Sequence, residues 1–391
     1  MRVLFVTREY PPFELGGVSR HTFNLVRNLT ALGVECKVVS FGDSSLSSRE
    51  VLFVDPSSSI ASRGDCPLSM DVKIPPDIIR FTHVISKLLR QECFDIVHVE
   101  EPYVGALFRF PRKVMTVHDT SYGELRSIMS QTSTLPSLKR ALFYVSMGIL
   151  LEMACIATSR VIIVPFQHIK RELVHRYGIS EGKIVVVWNG VELPSQEEMV
   201  DKDLAKSMLG LAKKPLVFTV AQHVARKRLD TLVEALHLLH KSGADIQAVI
   251  AGDGPLRKHL QNLTRRYELE KVIFFPGWVQ RSELALYYRA ADVFVLSSDY
   301  EAGPISLLEA MSYETSVVCT RIEGFASMLH DGVDCLMFPV GDVQALSVCL
   351  KRMLEDDCLR RRSSRAGRAF VENFSWQTVA NEVLAIYEGL I

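Results

Sequence analysis

The stretch ADVFVLSSDYEAGPISLLEAMS, Ala291 to Ser312, decides how the chain is organised. Its first eight residues form an apolar run with the length and composition of a buried strand. Gly303 then permits a tight bend, Pro304 suits the first position of a helix, and ISLLEAM continues in helix-forming apolar residues. Strand, turn and helix in this order make half of a βαβ unit. Glu301 therefore falls in the loop and Glu309 on the helix, at the carboxyl end of a parallel strand, where open α/β sheets bind ligands. The N–H groups of Ile305 and Ser306 open the helix, and free donors at such a position favour anions or polar ligand oxygens. On spacing alone, the two carboxylates are also compatible with a solvated loop residue and an exposed helix residue.

The rest of the chain repeats this alternation. RVLFVT, ECKVVSF, FDIVHVE, RKVMTV and RVIIVP read as buried strands, separated by helical patterns such as SRHTFNLVRNLTAL and IIRFTHVISKLLRQE. KIVVVWNGVELP closes that series, and SQEEMVDKDLAKSMLGLAKK is a polar, charged bridge. A second series then runs through PLVFTVA, DIQAVIAG, KVIFFPGW, ADVFVLSS and TSVVCT, again with helical patterns between. Strands alternating with helices predict parallel sheets covered on both faces. The expected divisions are 1–194, 195–373 and a terminal helical segment 374–391. The serine-rich segment Ser44 to Ser62 reads as a loop excursion without a fold of its own.

Composition narrows the classes. A chain of 391 residues exceeds one ordinary core, and about 150 residues per domain suggests two or three. Lys plus Arg equals Asp plus Glu at 45 each, so no net charge points to nucleic acid. The eight cysteines are scattered, with no C-x-x-C pair and no histidine at metal-ligand spacing, as in a reducing compartment. MRVLFVTREY lacks the features of a signal peptide, so a cytoplasmic location is expected. The apolar segment Ala141 to Ser159 carries Glu152 near its middle, which favours a helix buried between layers over a bilayer span. Lys139 and Arg140 just before it keep peripheral membrane contact open.

Several strand ends carry candidate chemistry. Gly16 and Gly17 follow the first strand and open a helix, where paired glycines let backbone N–H groups approach a phosphate. Gly252 belongs to the only G-x-G, which lacks a third glycine and reads on its own as a tight structural turn. AQHVARKRLD places Gln222, Arg226, Lys227 and Arg228 after the first strand of the second series. Three cations at a positive helix start break a local rule, as sites for anions do. His118 sits just past another strand, in TVHD. Asp201-Lys202-Asp203 is the only D-x-D near these elements and lies in the charged bridge, so no metal site is expected.

Taken in order, EYPPFELGGVSRHTFNLVRNLTALG, DIVHVEEPY, TVHD, WNGVE, ARKRLDTLVEAL, IAGDGP, FFPGW, the E-x7-E pair Glu301 and Glu309, LLEAM and the late FSW resemble retaining glycosyltransferases of family 4 over nearly the whole chain. The resemblance implies the GT-B fold: two Rossmann-like parallel-sheet domains facing a cleft, with the terminal helix crossing back to the first. It implies transfer of a hexose, without a metal or other cofactor, from a nucleoside-diphosphate sugar to a sugar, glycan or lipid-linked acceptor. Gly16 and Gly17 would lie near the donor diphosphate and transferred sugar, His118 and Glu301 would contact that sugar, Lys227 would hold the diphosphate and Glu309 the ribose hydroxyls. The loop around Gln222, Arg226, Gly252, Gly303, Pro304, Ile305 and Ser306 would complete the donor site. Three positions depart from the family pattern: Gln222 where an arginine is usual, Glu301-Ala302-Gly303-Pro304 for E-G-F-G, and Ser327 for a glutamate. An epimerase or hydrolase on the same fold, or a silent nucleotide-sugar binder, stays open.

Overall fold

The computed structural model describes residues 1–13, 16–56, 61–63, 66–69, 76–129, 142–301 and 303–391. The chain forms two compact units, Met1–Gly190 with Trp376–Ile391, and Val191–Ser375. The first unit closes at Gly190 rather than at 194, because Val191 already pairs with Ser375.

In the first unit, β1 (Arg2–Val6), β2 (Glu35–Phe41), β3 (Val51–Val54), β6 (Ile96–Val99), β7 (Lys113–Thr116), β8 (Val161–Val164) and β9 (Ile184–Val186) make one sheet. Its order is β3-β2-β1-β6-β7-β8-β9, and every pairing is parallel. A small antiparallel hairpin, β4 (Ala61–Arg63) with β5 (Cys66–Ser69), stands apart. The serine-rich stretch is thus not one loop: VLFV within it is β3, which extends the sheet beside β2. Four apolar residues flanked by serines and charges were too short a run to mark that edge strand.

The second unit holds β10 (Leu216–Val220), β11 (Gln247–Ala251), β12 (Ile273–Phe274), β13 (Val293–Leu296), β14 (Ser316–Thr320) and β15 (Cys335–Phe338), in parallel order β12-β11-β10-β13-β14-β15. Counted within each unit, both orders begin 3-2-1-4, the doubly wound arrangement of nucleotide-binding folds. The strands are buried on both faces, as parallel sheets require. Val3 to Val6 and Val293 to Val295 expose nothing, and Leu232, Val233 and Leu236 of helix Leu229–Lys241 complete the second core.

The last helix, Trp376–Glu388, belongs to the first unit and packs on helix Gly17–Ala31. Gly190 makes room for it, since a Cβ there would lie 2.5 Å from the Trp376 ring.

The apolar segment after residue 141 differs from the buried helix expected. A π-helical turn at Tyr144–Gly148 runs into helix Ile149–Thr158, and Leu142, Val145 and Leu150 are exposed. Glu152 points inward, accepting from the Ser121 N–H at 3.0 Å and the Tyr177 hydroxyl at 2.8 Å. Lys139 and Arg140 lie outside the described residues. No described helix is long and apolar enough to cross a membrane.

Candidate functional site

A doubly wound sheet opens a crevice where its strand order reverses. In the second unit this lies beyond β10 and β13, so the loops after those strands carry the site.

After β10 the chain makes a short 3-10 turn at Ala225–Lys227, and Arg228, at φ 45°, turns it into helix Leu229–Lys241. The two loops are stitched together: the Ser297 hydroxyl donates to the Lys227 carbonyl at 2.8 Å, and the Asp299 N–H to the Arg226 carbonyl at 2.9 Å. Lys227 Nζ thereby meets Glu301 Oε1 at 2.5 Å, and Ser298 Oγ donates to the same oxygen at 2.5 Å. Arg226 Nη1 stands 3.6 Å from Glu301 Oε2. Burial alone would raise the Glu301 pKa, but the charges of Lys227 and Arg226, with the hydrogen bonds, outweigh it and hold the carboxyl below its ordinary value. Glu301 is an anion held by two cations.

Gly303 has φ 141°, a region that only glycine enters without strain. Pro304 is the N-cap of helix Ile305–Ser312 rather than its first residue. The first N–H groups, of Ile305 and Ser306, have no intrahelical partner. Glu309, one turn in, accepts from the buried Tyr288 hydroxyl at 2.8 Å. Ala302 lies outside the described residues. Gln222 sits in the loop after β10, its carbonyl accepting from the Val224 N–H at 2.8 Å. Ser327 Oγ donates to the Gly324 carbonyl at 2.8 Å, beside the short helix Glu323–Ala326.

Gly252 does something other than offer an N–H to a phosphate. Its N–H donates to the Gly277 carbonyl at 2.7 Å, and a Cβ at its φ of 107° would lie 2.0 Å from the Ala221 carbonyl oxygen. It lets the ends of β10 and β11 approach. Asp201, in the D-x-D, caps helix Lys202–Met208 by accepting from the N–H groups of Asp203 and Leu204.

In the first unit the order reverses between β1 and β6. Gly16 caps helix Gly17–Ala31, and a Cβ at Gly16 or Gly17 would meet no described atom within 4 Å, so packing within the protein does not require glycine there. One turn into that helix, the His21 ring stands edge-on to His118, with centroids 4.6 Å apart. Between β6 and the next helix lies Glu100, fully buried. His118 Nε2 is 2.8 Å from Glu100 Oε2, and His21 Nε2 is 3.7 Å from the same oxygen. His21 Nδ1 is 3.0 Å from Asn189 Oδ1. Burial lowers the pKa of both imidazoles to about 4, which leaves them neutral at pH 7. Arg8, after β1, pairs with Glu101 at 3.2 Å.

Sequence reading singled out His118, Glu301 and Lys227 but missed His21, Glu100, Asn189 and Tyr288. Glu100 carried one usable signal, its place at the carboxyl end of a strand, yet that marks a site only once the strand order is known.

Against known families, residues 201–370 match the model of glycosyl transferases group 1, and residues 15–194 match that of Glycosyltransferase Family 4. An uncharacterized glycosyltransferase from Methanocaldococcus jannaschii is 24% identical, over 99% of this chain and 98% of its own. The UDP-Gal:alpha-D-GlcNAc-diphosphoundecaprenol alpha-1,3-galactosyltransferase of Escherichia coli is 26% identical, over 78% of each chain. Among solved structures, sucrose-phosphate synthase from Thermosynechococcus elongatus superposes with a TM-score of 0.81 at 20% identity, covering 100% of this chain and 98% of that one. With both of its halves matched by these models, the chain belongs to the group 1 and family 4 glycosyltransferases of GT-B fold.

Proposed function

We propose that the protein transfers a hexose from a nucleoside-diphosphate sugar to a sugar, glycan or lipid-linked acceptor, with retention of anomeric configuration and without a metal in the transfer step. The observation that carries this reading is the group Lys227, Arg226, Ser298 and Glu301 at the strand-order reversal of the second unit, with Glu309 on the helix that follows.

In this reading Lys227 exchanges the Glu301 carboxylate for the donor diphosphate, and Arg226 adds charge where Gln222 leaves the family's usual arginine absent. Glu309, oriented by Tyr288, accepts from the ribose hydroxyls. Glu301 and the first-turn N–H groups of Ile305 and Ser306 take the sugar side. Charge placed against the leaving diphosphate lowers the barrier as negative charge develops on it, and positioning supplies much of the rest. The donor reading has support from the galactosyltransferase relative, whose name specifies a UDP-linked sugar. The same name specifies a diphosphoundecaprenol acceptor, whereas the structural neighbour is named for sucrose phosphate, so the acceptor class is left broad.

Thermal shifts against uridine, guanosine and adenosine diphosphates select the donor base, since a ligand bound only by the folded state stabilises it. Lys227→Ala and Glu301→Ala are then assayed for transfer with the matched sugar donor. Both are expected to lose transfer; wild-type transfer in both would show that the assignment is wrong.

A further inference from the structure

We propose that the outward face of the helical segment from Leu142 to Ala157 docks the first unit onto an anionic lipid bilayer surface, lying flat in the interface rather than crossing it. The docking goes beyond the transfer reaction and does not rest on the donor assignment above.

Between Ala141 and Ser159 the sequence holds a single member of the group Asp, Glu, Lys and Arg, which is Glu152. The fold takes that carboxylate inside, where the Ser121 N–H and the Tyr177 hydroxyl donate to it at 3.0 and 2.8 Å. Because Ser121 follows His118 by three residues, the first of these bonds also ties the segment to the strand-end turn after β7. What turns outward is apolar: Leu142, Val145 and Leu150 are each more than half exposed. The π turn gathers them on one side. The Ile149 N–H reaches back five residues to the Tyr144 carbonyl, and in that register Val145 and Leu150 come round together, where α-helical winding would part them by about 140°. The Ser146 hydroxyl, on the same side, donates to the Leu142 carbonyl at 2.7 Å and so is satisfied without water. A continuous exposed apolar face of this kind marks an interaction surface.

Charge decides what covers this face. At the carboxyl end of the segment, Lys183 Nζ donates to the Ile156 carbonyl at 2.7 Å and Lys113 Nζ to Thr158 Oγ1. After burial, the Arg160 charge lowers the Lys183 pKa, and Lys183 and Arg109 act likewise on Lys113, so four cations gather there. Among the described residues none of the four pairs with a carboxylate, and nearby Glu181 is taken by Lys170 at 3.5 Å. At the other end, Lys139 and Arg140 precede Leu142 in the sequence. A second copy packed on this face, parallel or antiparallel, would set cations against cations at both ends, whereas anionic lipid headgroups meet them with opposite charge. No described helix is long enough to span a bilayer, and an apolar helical face with cations around it is the pattern of a helix lying in the interface plane.

The test floats the full chain with vesicles of phosphatidylcholine, with and without phosphatidylglycerol. The expected result is binding to the anionic vesicles that weakens as salt is added, and much weaker binding to the neutral ones. Leu142→Asp and Leu150→Asp should each weaken it at least tenfold, because a leucine side chain no longer enters the acyl boundary. Arg160→Gln should weaken it about fivefold, the effect of about 1 kcal/mol for one cation near the surface. All three positions are exposed, and circular dichroism checks that each variant is folded. Thermal shifts with nucleoside diphosphate should match the wild type in all three, which separates a failure of docking from a failure of the donor site. The proposal is overturned if the wild type ignores anionic vesicles at low salt, binds neutral ones equally, or floats no better than folded Leu150→Asp. It is equally overturned if light scattering gives a dimer that Leu150→Asp dissociates, which would assign the face to a second copy.

Discussion

Replacing Lys227 by Met removes the cation 2.5 Å from Glu301 Oε1 and leaves a carboxylate only 4% exposed. Losing one partner of a buried pair costs about 3–5 kcal/mol. Arg226, 3.6 Å from the other oxygen, retains part of the attraction, so the low end is expected, about 3 kcal/mol. At about 2–4 °C per kcal/mol for a unit of this size, the second unit should melt about 6–12 °C lower. Glu301→Gln should cost less, about 1–2 kcal/mol, because the amide oxygen still accepts from Ser298. In the double variant no buried carboxylate is left without its lysine, so it should be more stable than Lys227→Met alone. Urea unfolding at neutral pH measures all four species, and strictly additive losses would refute the pairing.

Ligand binding separates the two residues further. Glu301→Gln frees Lys227 from its internal anion, so nucleoside diphosphate should bind at least as tightly as to the wild type. Lys227→Met should weaken the same ligand at least tenfold, the effect of about 1.4 kcal/mol. A tenfold loss in Glu301→Gln would contradict the idea that Glu301 and the diphosphate compete for Lys227. The pH dependence has a definite sign. Because the folded pKa of Glu301 lies below its ordinary value, the pair's stabilisation is present above the unfolded carboxyl range and is lost as pH falls through the folded value. The double variant should lack this acid limb.

Three other changes have defined outcomes. Tyr288→Phe removes the 2.8 Å bond that orients Glu309 and should weaken nucleoside diphosphate about 5–10-fold in calorimetry while sparing pyrophosphate, and an equal loss for both would argue against a ribose role. Gly252→Ala puts a Cβ 2.0 Å from the Ala221 carbonyl oxygen at a φ of 107° and should cost at least about 2 kcal/mol, so a melting temperature within about 1 °C of wild type would disprove the close approach. Burial raises the Glu152 pKa to about 7, so the stability tied to its proton is full below the unfolded value and is lost as pH rises through about 7. Relative to Glu152→Gln, the wild type should therefore lose up to about 3 kcal/mol between about pH 4.5 and 7, seen as a shift in urea midpoint.

What was legible in the sequence follows from what is local. Strands such as RVLFVT and ADVFVLSS announce themselves because both faces are buried and the run stays apolar. The bend at Gly303 is local too, since one backbone angle demands one residue type. VLFV and the strand Cys335–Phe338 escaped notice because polar and turn-forming residues flank them on both sides, and their pairing partners, β2 and β14, are what make them strands. The same limit governs the site. Lys227 and Glu301 are 74 positions apart and Glu100 and His118 are 18 apart. Nothing in those spacings says that the side chains touch; the parallel order of the sheet says it. Gly252 is local as well: the G-x-G read as a tight structural turn, and its close approach to the Ala221 carbonyl is such a turn.

The two strand-order reversals also carry unlike chemistry, and this bears on which unit grips the donor without appeal to any relative. Beyond β10 and β13, Arg226 and Lys227 converge on Glu301, two cations to one carboxylate, while Arg228 pairs with Asp230. Beyond β1 and β6 stand Glu9, Glu100 and Glu101 against Arg8, three carboxylates to one cation, beside imidazoles kept neutral by burial. A diphosphate placed at the first group would face like charge in a desolvated setting, whereas at the second it replaces an anion already held there. Hydroxyl groups have the opposite preference, since carboxylates accept from them. The charges at two equivalent positions of two similarly ordered sheets thus support the proposed division of labour, nucleotide on the second unit and hydroxyl-bearing partner on the first.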